Sequence, residues 1–188
     1  MNRLSRWGIV SVLALWVQSA QAGHWSIGTN LGLAVLHPKG GGDNLTVIGV
    51  PGGAGPFFPG FQPGLRLGIL GEGGKGGLNL DIGLSSLFVS GQSFNSFQGT
   101  VNLLRNFSPS ASATPFVTVG AGLLALRAEE ETSTNAIFGG GLGIQNRLSH
   151  EHGALRGGVR LDYITENEEG FVGGLVFGIK LGFDLWMK

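Results

Sequence analysis

The stretch FVGGLVFGIKLGFDLWMK (Phe171–Lys188) separates by parity into two chemically different lists. Odd positions carry Phe171, Gly173, Leu175, Phe177, Ile179, Leu181 and Phe183, and even positions carry Val172, Gly174, Val176, Gly178, Lys180, Gly182 and Asp184. A period of two marks a strand with two faces. One face is aliphatic and aromatic; the other is glycine punctuated by charge. The fold turns on whether the apolar face meets a protein core or lipid.

The same test succeeds upstream. HWSIGTNLGLAVL sets Ile27, Leu31, Leu33 and Val35 against Ser26, Gly28, Asn30 and Gly32. FQPGLRLGIL sets Leu65, Leu67 and Ile69 against Gly64, Arg66 and Gly68, and LNLDIGLSSLF sets Leu78, Leu80 and Ile82 against Asn79, Asp81 and Gly83. FQGTVNLL, PFVTVGAGLL, AIFGGGLGIQNR and ALRGGVRLDYI behave alike, separated by turn-rich pieces such as GEGGKGG, NFSPSASATP and TENEEG. No segment after the leader has a helical period. The sequence therefore predicts an all-β chain of about eight strands.

A soluble barrel would present its polar face to water, rich in Lys, Glu and Thr. Here that face is crowded with glycine and carries Arg66, Asp81, Arg147, Arg156, Arg160, Asp162, Lys180 and Asp184. Small residues and pairable charges suit the cramped lumen of a narrow barrel. On the lipid side, Lys180 or Arg160 would cost roughly 2–4 kcal/mol near the midplane. Closure also removes strand edges that hydrocarbon cannot satisfy. The prediction is an eight-stranded, antiparallel, up-and-down transmembrane β-barrel with the Phe/Leu/Ile list facing lipid.

The front of the chain agrees. MNRLSRWGIVSVLALWVQSAQA has a basic start, a short apolar run and an Ala-Gln-Ala close, the pattern of a secretory signal peptide. Residues 1–22 are read as that leader and 23–188 as the barrel domain. Without Arg3 and Arg6 the chain is slightly acidic, so no nucleic-acid surface is implied. It has no cysteine, which excludes disulfides, thiolate metal sites and a lipid-modified cysteine.

A meander with both ends in the periplasm places outer loops at His37–Pro56, Ser90–Ser93, Ala128–Thr134 and Thr165–Gly170. Inner turns fall at Gly71–Gly77, Asn106–Thr114 and Ser149–Gly153. The acidic runs Glu129–Glu131 and Glu166…Glu169 then lie outside, as solvated loops or as cation-bridged contacts to lipopolysaccharide.

TPFVTVGAGLL (Thr114–Leu124), FGGGLGIQNRLS (Phe138–Ser149), ALRGGVRLDYI (Ala154–Ile164) and the glycine-rich last strand together resemble the eight-stranded outer-membrane β-barrel family of the OmpA transmembrane domain and OmpX-like proteins. The resemblance runs from Gly23 onward and implies the outer membrane of a Gram-negative bacterium, with its lipid and lipopolysaccharide as surroundings. It also implies insertion by the outer-membrane assembly machinery, which reads the last strand. Lys180, Gly182, Leu185 and Met187 resemble that signal, with Met187-Lys188 replacing the usual terminal aromatic. No peptidoglycan-binding domain follows in the sequence, so an OmpA-like anchoring role is not implied.

Candidate chemistry is thin. Lipid A deacylases of similar size use a His-x-Ser pair near the outer end of a late strand. The match here, His24-Trp25-Ser26, sits at the inner end of the first. Trp25, Phe107, Tyr163 and Trp186 are instead assigned to the interfacial aromatic girdle. His150-Glu151-His152 could hold a metal, but lacks an obvious third ligand and reads as a turn. Gly120-Ala121-Gly122 precedes no helix, and GEGGKGG lacks phosphate-loop spacing. No catalytic, cofactor or metal site is expected.

Two features remain. Inward bases outnumber inward acids, and the many lumen glycines leave space for solutes. The first outer loop and the residues just after it carry Leu45, Val47, Ile48, Phe57 and Phe58, too apolar for plain solvation. They either extend the wall or offer a surface to an extracellular ligand or partner. The expected role is structural or loop-mediated binding such as adhesion, without enzymatic activity. A narrow channel for small or hydrophobic solutes and, more remotely, a lipid-modifying enzyme are the alternatives.

Overall fold

The computed structural model describes residues 24–39, 45–49, 64–89, 92–128, 131–148, 152–166 and 173–187. The expected leader 1–22, Phe57, Phe58, His150 and Glu151 therefore lie outside the described residues. Among the described residues nine strands build one antiparallel sheet: β1 His24–Pro38, β2 Leu45–Gly49, β3 Gly64–Leu70, β4 Gly76–Val89, β5 Gln92–Asn106, β6 Ala113–Ala128, β7 Glu131–Arg147, β8 Gly153–Ile164 and β9 Gly174–Met187. Beyond β3 each pairs with the next in sequence, and β9 returns to pair with β1 from Trp25↔Met187 to Pro38↔Gly174. That pairing closes the sheet.

Nine strands make an eight-strand barrel because β2 and β3 share one line in the wall. β1 pairs with β3 through Asn30↔Gly64 and with β2 through Gly32↔Gly49, so the second wall strand is interrupted between residues 49 and 64. Part of the expected first loop is thus wall: Leu45, Val47 and Ile48 stand at register positions opposite Leu36, Ala34 and Leu33.

Two other outer loops are shorter than the turn-residue clusters implied. β6 and β7 stay paired up to Ala128↔Glu131, and β4 and β5 up to Val89↔Gln92. Ser93 and the serine and threonines of ETSTN lie in extended backbone, so their polarity marks solvent and not the end of the strand. β4 to β9 span 12 to 17 residues each, more than the roughly 9–11 needed to cross a bilayer. At the inner end, Gly73 and Gly74 adopt φ of 68° and 66°, a left-handed pair that only glycine enters cheaply and that reverses β3 into β4.

Burial follows parity. In β9, Leu175, Phe177, Ile179 and Leu181 are exposed on the outer face, while Gly174, Val176, Gly178 and Asp184 are buried inside. Leu142, Val119, Leu123 and Leu155 are likewise outside. Such a continuous apolar exterior on a closed sheet is what lipid requires.

Candidate functional site

The middle of the lumen is one connected set of charges. Arg66 on β3 lies directly opposite Asp81 on β4 and donates from Nε at 2.6 Å and from Nη2 at 3.2 Å. Arg156 Nη2 donates to Asp184 at 2.5 Å, and Arg66 Nη1 approaches Asp184 at 4.0 Å. Arg160 Nε donates to both oxygens of Asp162, at 2.8 and 2.7 Å.

Asn102 joins the groups. It donates to Asp81 at 3.2 Å and accepts from Arg160 Nη1 at 2.6 Å, while Asn30 donates to Asp81 at 3.4 Å. All three arginines and all three aspartates are buried. Lys180 lines the same space, so four cations face three carboxylates there among the described residues. The cavity between these groups is about 40 Å³, room for about one to three waters.

The lumen glycines explain that filling. A Cβ at Gly139 would overlap the Asp162 carboxylate, and one at Gly28 the Asp184 carboxylate. One at Gly120 would collide with Asn102, and one at Gly182 would lie 2.6 Å from the Asn30 amide. The glycines are seats for the polar heads of neighbouring strands. The space they leave is taken by those heads, which corrects the expectation of room for solutes.

Apolar layers close both ends, and parity reading overlooked most of their members. On the outer side Leu124, Ile137, Ile164 and Val176 are fully buried. On the inner side Leu70, Leu104 and Phe116 form a cluster against which Trp186 packs. Trp186 therefore does not belong to the lipid-facing girdle; its even position on β9 turns it inward, where Arg147 sits 5.3 Å from its ring centroid. Trp25 and Tyr163 do face outward, and Phe107 is exposed in the inner turn.

Arg147 also departs from the expected network. It lies at the inner mouth with Trp186, below the apolar cluster, and not among the paired charges. Of the remaining candidates, Lys180 and Gly182 turn inward while Leu185 and Met187 are exposed outside. His24 and His152 line the inner mouth, and Ser26 is buried against the lumen wall. Among the described residues each lumen carboxylate is engaged by an arginine.

Closed eight-strand topology, apolar exterior and ion-paired lumen decide the class. The fold is that of the small outer-membrane β-barrels. Neisserial surface protein A superposes with a TM-score of 0.61 at 11% identity, covering 86% of this chain and 96% of its own. A major outer membrane protein of Thermus thermophilus superposes with a TM-score of 0.53 at 13% identity, covering 89% and 100%. No protein-family profile matches the chain, and no curated protein matches it in sequence. At these identities the likeness speaks for the fold alone.

Proposed function

We propose that this chain is a non-conducting, non-enzymatic outer-membrane barrel whose role is structural or loop-borne, its rigid wall holding outer hairpins at the cell surface. The observation that carries this reading is the buried Arg66–Asp81, Arg156–Asp184 and Arg160–Asp162 layer, which leaves about 40 Å³ at mid-height. A conducting path needs a continuous water column, and moving these groups aside would strip buried charges of their partners. The channel reading loses its main support once the glycines are seats and not vacancies.

Loop-borne binding draws support from the outer end. β6 and β7 run unbroken to residues 128 and 131, and Lys39 meets Glu166 at 2.8 Å across the outer rim. Outer-membrane lipid, lipopolysaccharide and the assembly machinery are the proposed partners, with Leu185 and Met187 outward on the last strand for the machinery to read. Residues 1–22 are proposed as the export leader.

Conductance across planar bilayers tests the reading. The purified, heat-modifiable barrel is expected to give no steady current steps. Reproducible ohmic steps, lost in Gly141→Leu/Gly143→Leu protein that still folds, would establish a channel instead. Binding of cells expressing the barrel to protein-coated surfaces, with residues 129–130 replaced by Gly-Gly, tests the loop-borne role.

A further inference from the structure

Below the apolar cluster, the inner mouth opens into a cavity of about 480 Å³ that the lumen network does not use. Its walls bring Lys75 from the β3–β4 turn together with Arg147 at the end of β7, His24 at the start of β1 and His152 before β8. No aspartate or glutamate lines it among the described residues. This differs from the lumen above, where every arginine has an aspartate beside it.

The donors are built in, not left on the surface. Arg147 lies over the Trp186 ring, which itself packs on the Leu70, Leu104 and Phe116 cluster. A guanidinium held on an indole keeps its fork of N–H groups in one plane. In this wall Arg147 Nε and Trp186 Nε1 are buried donors, and Gln145 Oε1 and Asn106 Oδ1 buried acceptors, without a hydrogen-bond partner among the described residues. Buried donors cost free energy until something accepts from them.

The turn supports the same corner. Asn106 Nδ2 donates to the Gly74 carbonyl at 2.8 Å, fixing the turn that carries Lys75. A Cβ at Gly74 would lie 3.5 Å from Arg147 Nη2, an ordinary contact distance, so this turn runs directly beside the guanidinium.

We propose that this inner cavity is a binding site for a phosphate group, held by the terminal N–H groups of Arg147 with Lys75 as a second charge. Arginine with planar, unshared N–H groups matches two oxygens of a tetrahedral oxyanion, and lysine adds charge without geometry. Two sources present that chemistry at an inner membrane face: free phosphate and the headgroup of an anionic phospholipid. The site lies outside the ion-paired layer and does not depend on whether that layer conducts.

Trp186 is the reporter. Trp25 faces outward and the other two tryptophans, Trp7 and Trp16, lie in the proposed leader, so Trp25→Phe barrel leaves one indole, in the cavity. The barrel folded in neutral detergent is titrated with inorganic phosphate at constant ionic strength, set by chloride. A saturable change in Trp186 emission is expected, with the apparent affinity falling about tenfold or more in Arg147→Gln and by a smaller factor in Lys75→Gln. Calorimetric titration of the Trp25-containing protein supplies a readout independent of the indole. Heat-modifiable mobility verifies that each variant is folded.

The source follows from reconstitution. If phosphatidylglycerol bilayers shift Trp186 emission relative to phosphatidylcholine and abolish the response to added phosphate, the headgroup fills the site. If the phosphate response persists in both bilayers, free phosphate does. No saturable response in detergent, or an equal response in Arg147→Gln, overturns the proposal.

Discussion

At mid-height the inward positions carry three arginine–aspartate pairs on a floor of glycines, whereas at the two ends the same positions carry Leu, Ile, Phe and Val. Both regions lie inside one closed wall, yet they solve opposite problems. Residues in the middle must be satisfied by one another, because each buried charge has lost its water. Those at the ends need only pack. The apolar ends also keep water from the network, which strengthens every hydrogen bond inside it. A barrel whose exterior is already committed to lipid can thus use charge to specify its interior and hydrocarbon to seal it.

Removing one partner in the middle should give the largest effect. Asp184→Ala leaves Arg156 unpaired and takes a second carboxylate from beside Arg66, with an expected loss of roughly 3–5 kcal/mol in reversible urea unfolding from lipid vesicles. The double change Asp184→Leu/Arg156→Met should recover much of that, because an apolar pair of similar volume is often neutral. If the double variant is as unstable as the single, the middle is held by shape and the contrast with the ends disappears.

An end-layer change should come next. Leu104→Ala empties a fully buried site and is expected to cost roughly 2–5 kcal/mol. If the end seals the middle, Asp184→Ala should cost less when measured in the Leu104→Ala background, since water then reaches the exposed charges. Strict additivity of the two would mean the layers are independent.

How far the residues disclosed this division depends on the face. The outward face was legible because lipid tolerates little besides apolar residues, so parity alone fixed Leu175 to Leu181 and their counterparts. Glycine against charge likewise placed Arg66, Asp81, Arg156, Arg160, Asp162 and Asp184 inside. Pairing was less legible. Arg160 and Asp162 share a face by spacing, but Arg66–Asp81 needs the β3–β4 register and Arg156–Asp184 the β8–β9 register.

The end layers were hidden for a physical reason. Where Leu123 faces lipid and Leu124 faces the lumen, both faces are apolar and the period of two vanishes. The same masking concealed Leu104 beside Leu103, and Ile137 beside Phe138. Trp186 was misassigned because an indole near a strand end fits a girdle as well as a lumen floor; only its parity with Asp184 argued otherwise. The strand pattern at Leu45–Val50 did suggest an extension of the wall, but not that it continues the line of β3, because a five-residue β2 is too short to fix its register.

The smallest effect belongs to neither layer. Lys39 and Glu166 meet at the outer rim, both well exposed, and Lys39→Ala should leave the unfolding midpoint unchanged within error. Its pH dependence separates this pair from the buried ones. The hydrogen bond and charge of Glu166 raise the Lys39 pKa above its ordinary 10.5. Any contribution is then fully present below that ordinary value and is lost as pH rises through the raised one. Wild type and Lys39→Ala should therefore differ by the same small amount throughout neutral pH and converge only in strong alkali. A gap that opened between pH 7 and 9 would mean that the rim pair is coupled to the barrel interior, and that the separation between the ion-paired middle and its surroundings is incomplete.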